Sequence, residues 1–450
     1  MTNGRSGAPR PSVAAVQAAV PPLQDWRVLL AIFWITSMVE GLGVSQIFAF
    51  MPAYLSEMGV TDTDRLAFVG LFSSLVFVVG MPLVPLWGVW ADKYSRKAVI
   101  IRSAIVEAVV FIAVALSREP WQLAVSLLLI GLQLGNTGVM LAGIRDVTPR
   151  RRLGTAIALF GASGPVGFAV GPALGGLFVD GLGLSLATMF AVSSLLSIGT
   201  ALLVGLGSRE IRPEVVPQGR VLDLAFGAVR GVLGDAAVRR IFVIFGVSFL
   251  ATQMARPYIP ILVERIVGRG EGLASGIFLV SGTAALVGAL VSPLGGAIGD
   301  RIGFRPVLIA ALVGGGAALA LMPLVPSLAG LAIVALVFAA MTAAVTAMVF
   351  GLLATEIPPE RRSTTLNLVY LPLYAAGILG PAVGSVVVRG SGLAGPFLAG
   401  AVVFFFGALV VLLRRTVSDA AASAGADQAP EPESQPSRRA VRPNADTAPD

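Results

Sequence analysis

Glu40, Glu107 and Arg256 are ionisable side chains that interrupt long apolar runs of this sequence. Near the centre of a bilayer each would cost a few kcal/mol, so such residues are rarely placed there without a use. Glu40 lies about twelve residues into its run, roughly 18 Å deep at 1.5 Å per helical residue, and is the first choice for a proton carrier. Glu107 is similarly deep and is the second choice, with a structural hydrogen bond as the competing reading. Arg256 stands beside Pro257 and Pro260, where backbone hydrogen bonding is broken, and either faces a cavity or snorkels to the outer surface. Histidine and cysteine are both absent, which removes imidazole relays, thiolate metal sites and disulfides. Proton chemistry therefore falls to carboxylates.

The elements that must hold these groups are membrane spans. Of the 450 residues 56% are hydrophobic and 13% charged, with a mean hydropathy of +0.87, whereas a soluble domain carries about a quarter charged residues. Twelve apolar runs have the length that a helix needs to cross roughly 30 Å of hydrocarbon: 28–54, 66–90, 98–116, 121–144, 153–179, 182–206, 239–265, 272–299, 306–323, 328–353, 364–388 and 393–413. The expected fold is an all-α polytopic membrane protein. No cleavable leader is expected ahead of the first run, because residues 1–26 are Pro/Ala-rich without an apolar core of their own. The sequence pI near 10.5 does not imply a nucleic-acid partner, since the basic residues sit in short loops between apolar runs.

Those basic residues set the orientation. Lys93, Arg96, Lys97, Arg102, Arg145, Arg150, Arg151, Arg152, Arg301, Arg305, Arg361, Arg362, Arg414 and Arg415 fall in alternate loops or ends, and the opposite loops hold only scattered arginines. The positive-inside rule places the first set and both termini in the cytoplasm, with the protein in the plasma (inner) membrane. Five segments result: a cytoplasmic N-terminal piece (1–27), a first six-helix bundle (28–206), a linker with an amphipathic surface helix (207–238), a second six-helix bundle (239–413) and a disordered cytoplasmic tail (414–450).

The two bundles are repeats of one another. Pro52 matches Pro260 at an offset of 208, and Gly171-Pro172-Ala-Leu-Gly175 matches Gly380-Pro381-Ala-Val-Gly384 at 209. Six is even, so both halves share one orientation, the pseudo-axis follows the membrane normal and a cavity is expected at the interface near mid-depth. A short charged motif recurs at the same offset. It reads Gly88-Val-Trp-Ala-Asp92-Lys93-Tyr-Ser-Arg96-Lys97 after the second run and Gly296-Ala-Ile-Gly-Asp300-Arg301-Ile-Gly-Phe-Arg305 after the eighth.

This motif resembles the loop of the major facilitator superfamily found between spans two and three and again between spans eight and nine. The resemblance implies that the loop latches one half to the other when the cavity faces outward, with Asp92 opposite the start of span eleven and Asp300 opposite that of span five. Ser95 departs from the family's glycine, and Phe304 stands where a basic residue is common. Gly167, Gly171, Pro172, Gly175 and Gly176 in span five resemble the antiporter motif of twelve-span drug:proton exporters, although a glycine ridge also serves plain helix packing. The arginine those exporters carry in span four is absent, the best match being Leu127-Leu-Leu-Ile130-Gly131.

Polar residues at helical spacing complete the expected cavity: Gln46 in span one, Gln133 and Asn136 in span four, Gln253 and Arg256 in span seven, and Asn367, Tyr370 and Tyr374 in span eleven. Interhelical hydrogen bonding is the competing use of such stripes. The two lysines, Lys93 and Lys97, follow no nucleotide-binding glycine loop, so no cofactor, metal or direct ATP drive is expected. The resulting expectation is a monomeric, non-enzymatic secondary transporter that exports a small amphiphile in exchange for protons. An uncoupled facilitator or a proton symporter for a metabolite uses the same fold, and a non-transporting sensor is a third possibility.

Orientation is testable by impermeant thiol labelling, because the natural chain has no cysteine. In intact cells a cysteine at Ser117 is expected to react from outside and one at Ser95 only after lysis; the reverse pattern overturns the topology.

Overall fold

The computed structural model of the chain describes residues 24–213, 216–234, 236–356, 368 and 370–426, and every element among them is helical. Twelve helices are long and apolar enough to cross a membrane: Trp26–Glu57, Asp62–Lys93, Arg96–Leu116, Pro120–Val147, Arg150–Gly181, Leu186–Gly207, Phe242–Val267, Leu273–Ile302, Phe304–Leu324, Leu328–Val349, Leu371–Ser391 and Gly395–Leu413. They are numbered here as spans one to twelve. Local chemistry sets several boundaries. Thr61 caps span two, its Oγ accepting from Asp64 N at 3.3 Å, and Ser95 caps span three, accepting from Ala98 N at 3.0 Å.

The spans form two six-helix bundles. In the first, span one lies along span five and span three along span six; in the second, span ten packs between spans eight and nine, and span seven lies along span eleven. The bundles meet where span two touches span eleven and span five touches span eight. Hydrogen bonds and ion pairs joining described residues of the two bundles gather toward the end that carries Glu264. Ser385 Oγ donates to Ala67 O at 2.8 Å, and Ser275 N donates to Asp180 Oδ2 at 2.7 Å. Phe77 stacks on Tyr374 with centroids 6.0 Å apart. Toward the Asp92 end the contact loosens: a Cβ built at Gly88, Gly154, Gly161, Gly164 or Gly296 would meet nothing within 4 Å.

The glycine ridge of span five faces span one. A Cβ at Gly167 would collide with Met38 O, one at Gly171 with Ser45 Oγ, and one at Gly175 with the Phe50 ring. From the other side, a Cβ at Gly41 would stand 2.7 Å from Gly164 O. Span five is therefore held against span one backbone to backbone. Its next residue, Gly176, opens a π-helical stretch to Gly181, and Ser275 of the second bundle lies 3.3 Å from where a Gly176 Cβ would be.

Two details differ from expectation, and the linker helix is where it was expected. Ser117 is buried, its Oγ donating to Ala113 O at 2.8 Å, so Trp121, which is exposed, is the better labelling position for that loop. The last helix runs on to Ala426, past the 413 expected for span twelve, and the rest of the tail lies outside the described residues. The linker helix Val221–Gly234 rests on the Asp92 end of span two.

The ridge makes a paired prediction. Gly167→Ala forces a methyl into the span-one backbone and is expected to destabilise the protein by about 1–3 kcal/mol, read as a lower unfolding temperature in detergent. Gly161→Ala, three residues from Gly164 with open space around it, is expected to leave that temperature unchanged or raise it.

Candidate substrate and proton site

Span four is broken in mid-membrane, and the break organises the first charged cluster. Its helix Pro120–Ile130 gives way to a 3-10 turn over Gly131–Gln133, and Gly135 at φ 100° interrupts the helical backbone before helix Asn136–Val147 begins. A glycine is required there because L side chains rarely adopt that backbone. The freed carbonyls are met from span three. Arg102 Nη2 donates to Gln133 O and Leu134 O, both at 3.2 Å, and Ser103 Oγ donates to Gln133 O. The Arg102 guanidinium lies 3.8 Å from the centroid of the Trp87 ring. Asn136, first residue of the restarted helix, donates its Nδ2 to Glu40 Oε1. Glu40 thus faces an amide and the positive end of a half-helix, with the Arg102 charge acting on it.

Glu107 belongs to the same cluster, since the Glu40 charge acts on it. It is fully buried. Neither carboxyl oxygen has a hydrogen-bond partner, and the Ser197 hydroxyl beside it donates instead to Ser193 O at 3.0 Å. A negative charge in that position would have no cation beside it among the described residues. A Cβ at Gly43 would stand 2.7 Å from Glu107 Oε1, so span one presses on this carboxyl.

Arg256 occupies a second break, in span seven. The helix ending at Ala255 passes through a 3-10 turn, Arg256–Tyr258, before helix Ile259–Val267. Pro257 and Pro260 lack the amide protons that would continue the ladder. The side chain does not snorkel outward. Its guanidinium sits 4.9 Å from the Phe48 centroid of span one and 4.7 Å from the Phe168 centroid of span five, and Nη1 reaches Gln253 Oε1 at 3.5 Å. No carboxylate among the described residues pairs with it.

The remaining polar residues divide. Gln46 is fully buried inside the first bundle, accepting from Ser193 Oγ at 2.6 Å, and is interhelical glue rather than cavity wall. Gln133 is buried with Oε1 unpartnered. Tyr374 is nearly buried against Phe77. Asn367, the Tyr370 side chain, Arg361 and Arg362, and with them the span-eleven start that Asp92 was expected to face, lie outside the described residues.

Comparison with known proteins decides the family. The family model described as Major Facilitator Superfamily matches residues 33–288 and 241–445. The chain belongs to the major facilitator superfamily. It is 30% identical over 306 residues to the multidrug resistance protein MdtG of Enterobacter lignolyticus, covering 67% of this chain and 70% of that one. Among solved structures it resembles the nucleoside transporter NupG, with a TM-score of 0.71 at 15% identity over 86% of this chain and 99% of that one. It also resembles a bacterial homologue of the human lysosomal transporter Spinster, with a TM-score of 0.70 at 17% identity over 87% and 97%.

The superfamily's loop motif takes two forms in this member. In the first copy Arg96, almost wholly buried, bridges Asp92 at 2.8 Å and Asp146 of span four at 2.6 Å. Lys97 Nζ donates to Gly205 O and Ser208 O at 2.7 and 2.8 Å, closing the end of span six, and Lys93 Nζ donates to Gly219 O of the linker. In the second copy Asp300 and Arg301 are exposed, and no hydrogen bond or ion pair joins Asp300 or Arg305 to another described residue. Gly303 there has φ 95°, which favours glycine, whereas Ser95 is extended at φ −161°. That difference explains how serine replaces glycine in the first copy only.

Two groups of functional interest escaped the sequence reading. Arg102 was counted as a loop cation, although it lies six residues past the start of span three, beyond its first helical turn. At the opposite end, Arg65 of span two donates from both terminal nitrogens to Glu264 of span seven, at 2.9 and 2.8 Å. Both partners are buried. Arg269 Nε joins Glu264 at 2.7 Å and its Nη2 donates to Asp62. These hydrogen bonds hold the Arg269 guanidinium above its ordinary pKa. Beside the pair lies a cavity of about 320 Å³, lined by Phe50, Ala53, Glu57 and Asp180 among others.

Removing one partner of a buried ion pair costs about 3–5 kcal/mol because the other charge is stranded. Arg65→Gln is therefore expected to loosen the joined end, with Arg269 left to Glu264. A cysteine at Ala53 should then react with an impermeant reagent about tenfold faster than in the Arg65 parent; an unchanged rate shows that this pair does not hold the end shut.

Proposed function

We propose that this chain exports small amphiphilic compounds in exchange for protons, by alternating access, as a monomer in the plasma (inner) membrane. It has no enzymatic activity and no nucleic-acid partner, and its fuel is the proton gradient. Support for the efflux reading comes from relatives named multidrug resistance protein at 30% identity over two thirds of the chain, together with the glycine-rich helix Gly167 to Gly176. The cationic loops put the Asp92 and Asp300 end, and both termini, in the cytoplasm. With the Glu264 end joined and the Asp92 end loosened, the cavity opens to the cytoplasm. Asp92 and Asp300, with the glycines and cations of their motifs, latch the halves in the opposite state.

The observation that carries proton coupling is the Glu40 setting. The Glu40 carboxylate in mid-membrane meets Asn136 at the start of a half-helix, and Arg102 stands nearby as the counter-charge. Arg102 fills from span three the place of the cation missing from span four. When Glu40 takes a proton its hold on the Asn136 half-helix weakens, so protonation and the position of span four are linked. Glu107, buried in the same cluster, is the second proton site. Gln133, Asn136, Gln253, Arg256 and Tyr374 line the substrate cavity between the bundles.

Glu40→Gln imitates the permanently protonated state. In proteoliposomes with an imposed pH gradient this variant is expected to lose uphill efflux while keeping downhill exchange. If it still concentrates substrate as the parent does, Glu40 is not the coupling site, and parent vesicles that show only downhill movement would make the protein a facilitator.

A further inference from the structure

We infer that the compounds handled here are amphiphilic monoanions, received by the Arg256 guanidinium; this rests on the transporter reading above and specifies its substrate class. Four ionisable side chains lie in the middle of the described spans: Glu40, Arg102, Glu107 and Arg256. Three of them form one cluster inside the first bundle. Glu40 is answered by Asn136 and by the Arg102 charge, and Glu107 is closed off from any opening. Arg256 stands alone on the second bundle.

A guanidinium does not lose its proton at working pH, so the Arg256 charge is permanent. Its faces are served by Phe48 and Phe168, a contact that leaves the in-plane N–H donors free. Only the long 3.5 Å approach to Gln253 Oε1 uses one of them. The side chain is half-buried, and no other hydrogen bond to a described residue uses those donors. Free coplanar donors match the two oxygens of a carboxylate, or of a sulfonate, in bidentate geometry. Of the two rings, Phe168 is only half-buried and offers apolar surface for the body of the molecule. A cation would find the reverse arrangement, with the fixed charge against it and Glu40 already engaged.

Three probes of one shape separate charge from hydrophobicity: 4-octylbenzoate, its neutral amide 4-octylbenzamide, and 4-octylbenzyltrimethylammonium. Binding to the purified full chain is measured by isothermal titration, and flux in proteoliposomes with a pH gradient. The parent is expected to bind the benzoate about tenfold more tightly than the amide, and the ammonium probe more weakly still. Arg256→Gln is expected to bring benzoate and amide to equal affinity without weakening the amide, which also shows the variant is folded. Arg256→Lys keeps the charge but not the fork and should fall between. Equal binding of benzoate and amide by the parent, preference for the ammonium probe, absence of benzoate binding, or an undiminished benzoate preference in Arg256→Gln or Arg256→Lys each overturns the assignment. Uphill flux of the amide or ammonium probe without the benzoate overturns the charge assignment and leaves efflux standing. Tight benzoate binding without gradient-driven flux does the opposite.

Discussion

The settings of Glu40, Glu107 and Arg256 depend on how closely span five approaches span one. Span five puts no side chain of its own into this contact at Gly167, Gly171 or Gly175, where a Cβ would collide with the Met38 carbonyl, Ser45 and the Phe50 ring of span one, so their relative position is fixed by close contact. Two consequences follow from that single constraint. Phe48 of span one and Phe168 of span five are held at the spacing that lets one guanidinium lie on both rings. Span one is also held in register, so that Glu40 meets the restarted half of span four and Gly43 comes up against Glu107. The glycine ridge reads as a packing motif and a functional motif at once because it performs the second task by means of the first.

The halves are repeats in sequence but not in electrostatics. In the first, the loop charges are spent within the bundle and on the linker: Arg96 bridges Asp92 to Asp146, and the Glu210 carboxylate accepts from Arg96 N and Lys97 N at 2.9 and 3.4 Å at the start of span three. A carboxylate at a helix start is worth about 0.3–1 kcal/mol, and here it also ties the linker to the bundle. In the second half Asp300 and Arg301 stay exposed. A loop already fastened to its own bundle and a loop free to find a partner have different tasks when the Asp92 end closes. The joined Glu264 end shows the other solution, a buried bidentate pair whose two members come from different bundles.

Much of this was legible in the sequence. The twelve spans, the repeat and the depth of Glu40 follow from hydropathy, spacing and a rise of 1.5 Å per residue, all of which act along the chain. What could not be read acts across it. Gln46 has the same polarity whether it lines a cavity or accepts from Ser193, and only the neighbouring helix decides. Arg102 looks like one more loop cation until the break at Gly131 to Gly135 supplies carbonyls for it to cap. The pairing of Arg65 with Glu264 joins residues 199 positions apart, and no periodicity relates them. Counting Arg102 from the start of span three, rather than assigning it to a loop, would have exposed it as an intramembrane charge.

The place of Arg256 relative to the moving parts bears on how such a machine works. It is carried by the second bundle but seated on rings of the first, at the level where Gly282 approaches Ala169 O and where the joined and loosened regions meet. Rigid bundles rocking about such a level displace their ends most and their fulcrum least. A charge at the fulcrum can keep its aromatic seat while access changes from one side to the other. Cation–π contact is tolerant of small rotations in a way that a bidentate ion pair is not. The buried pair of Arg65 and Glu264, eight residues further along span seven, has the opposite property and is made or broken as a whole. The soft contact and the stiff one thus both join the two bundles along span seven, one as a guanidinium on rings and the other as a bidentate pair.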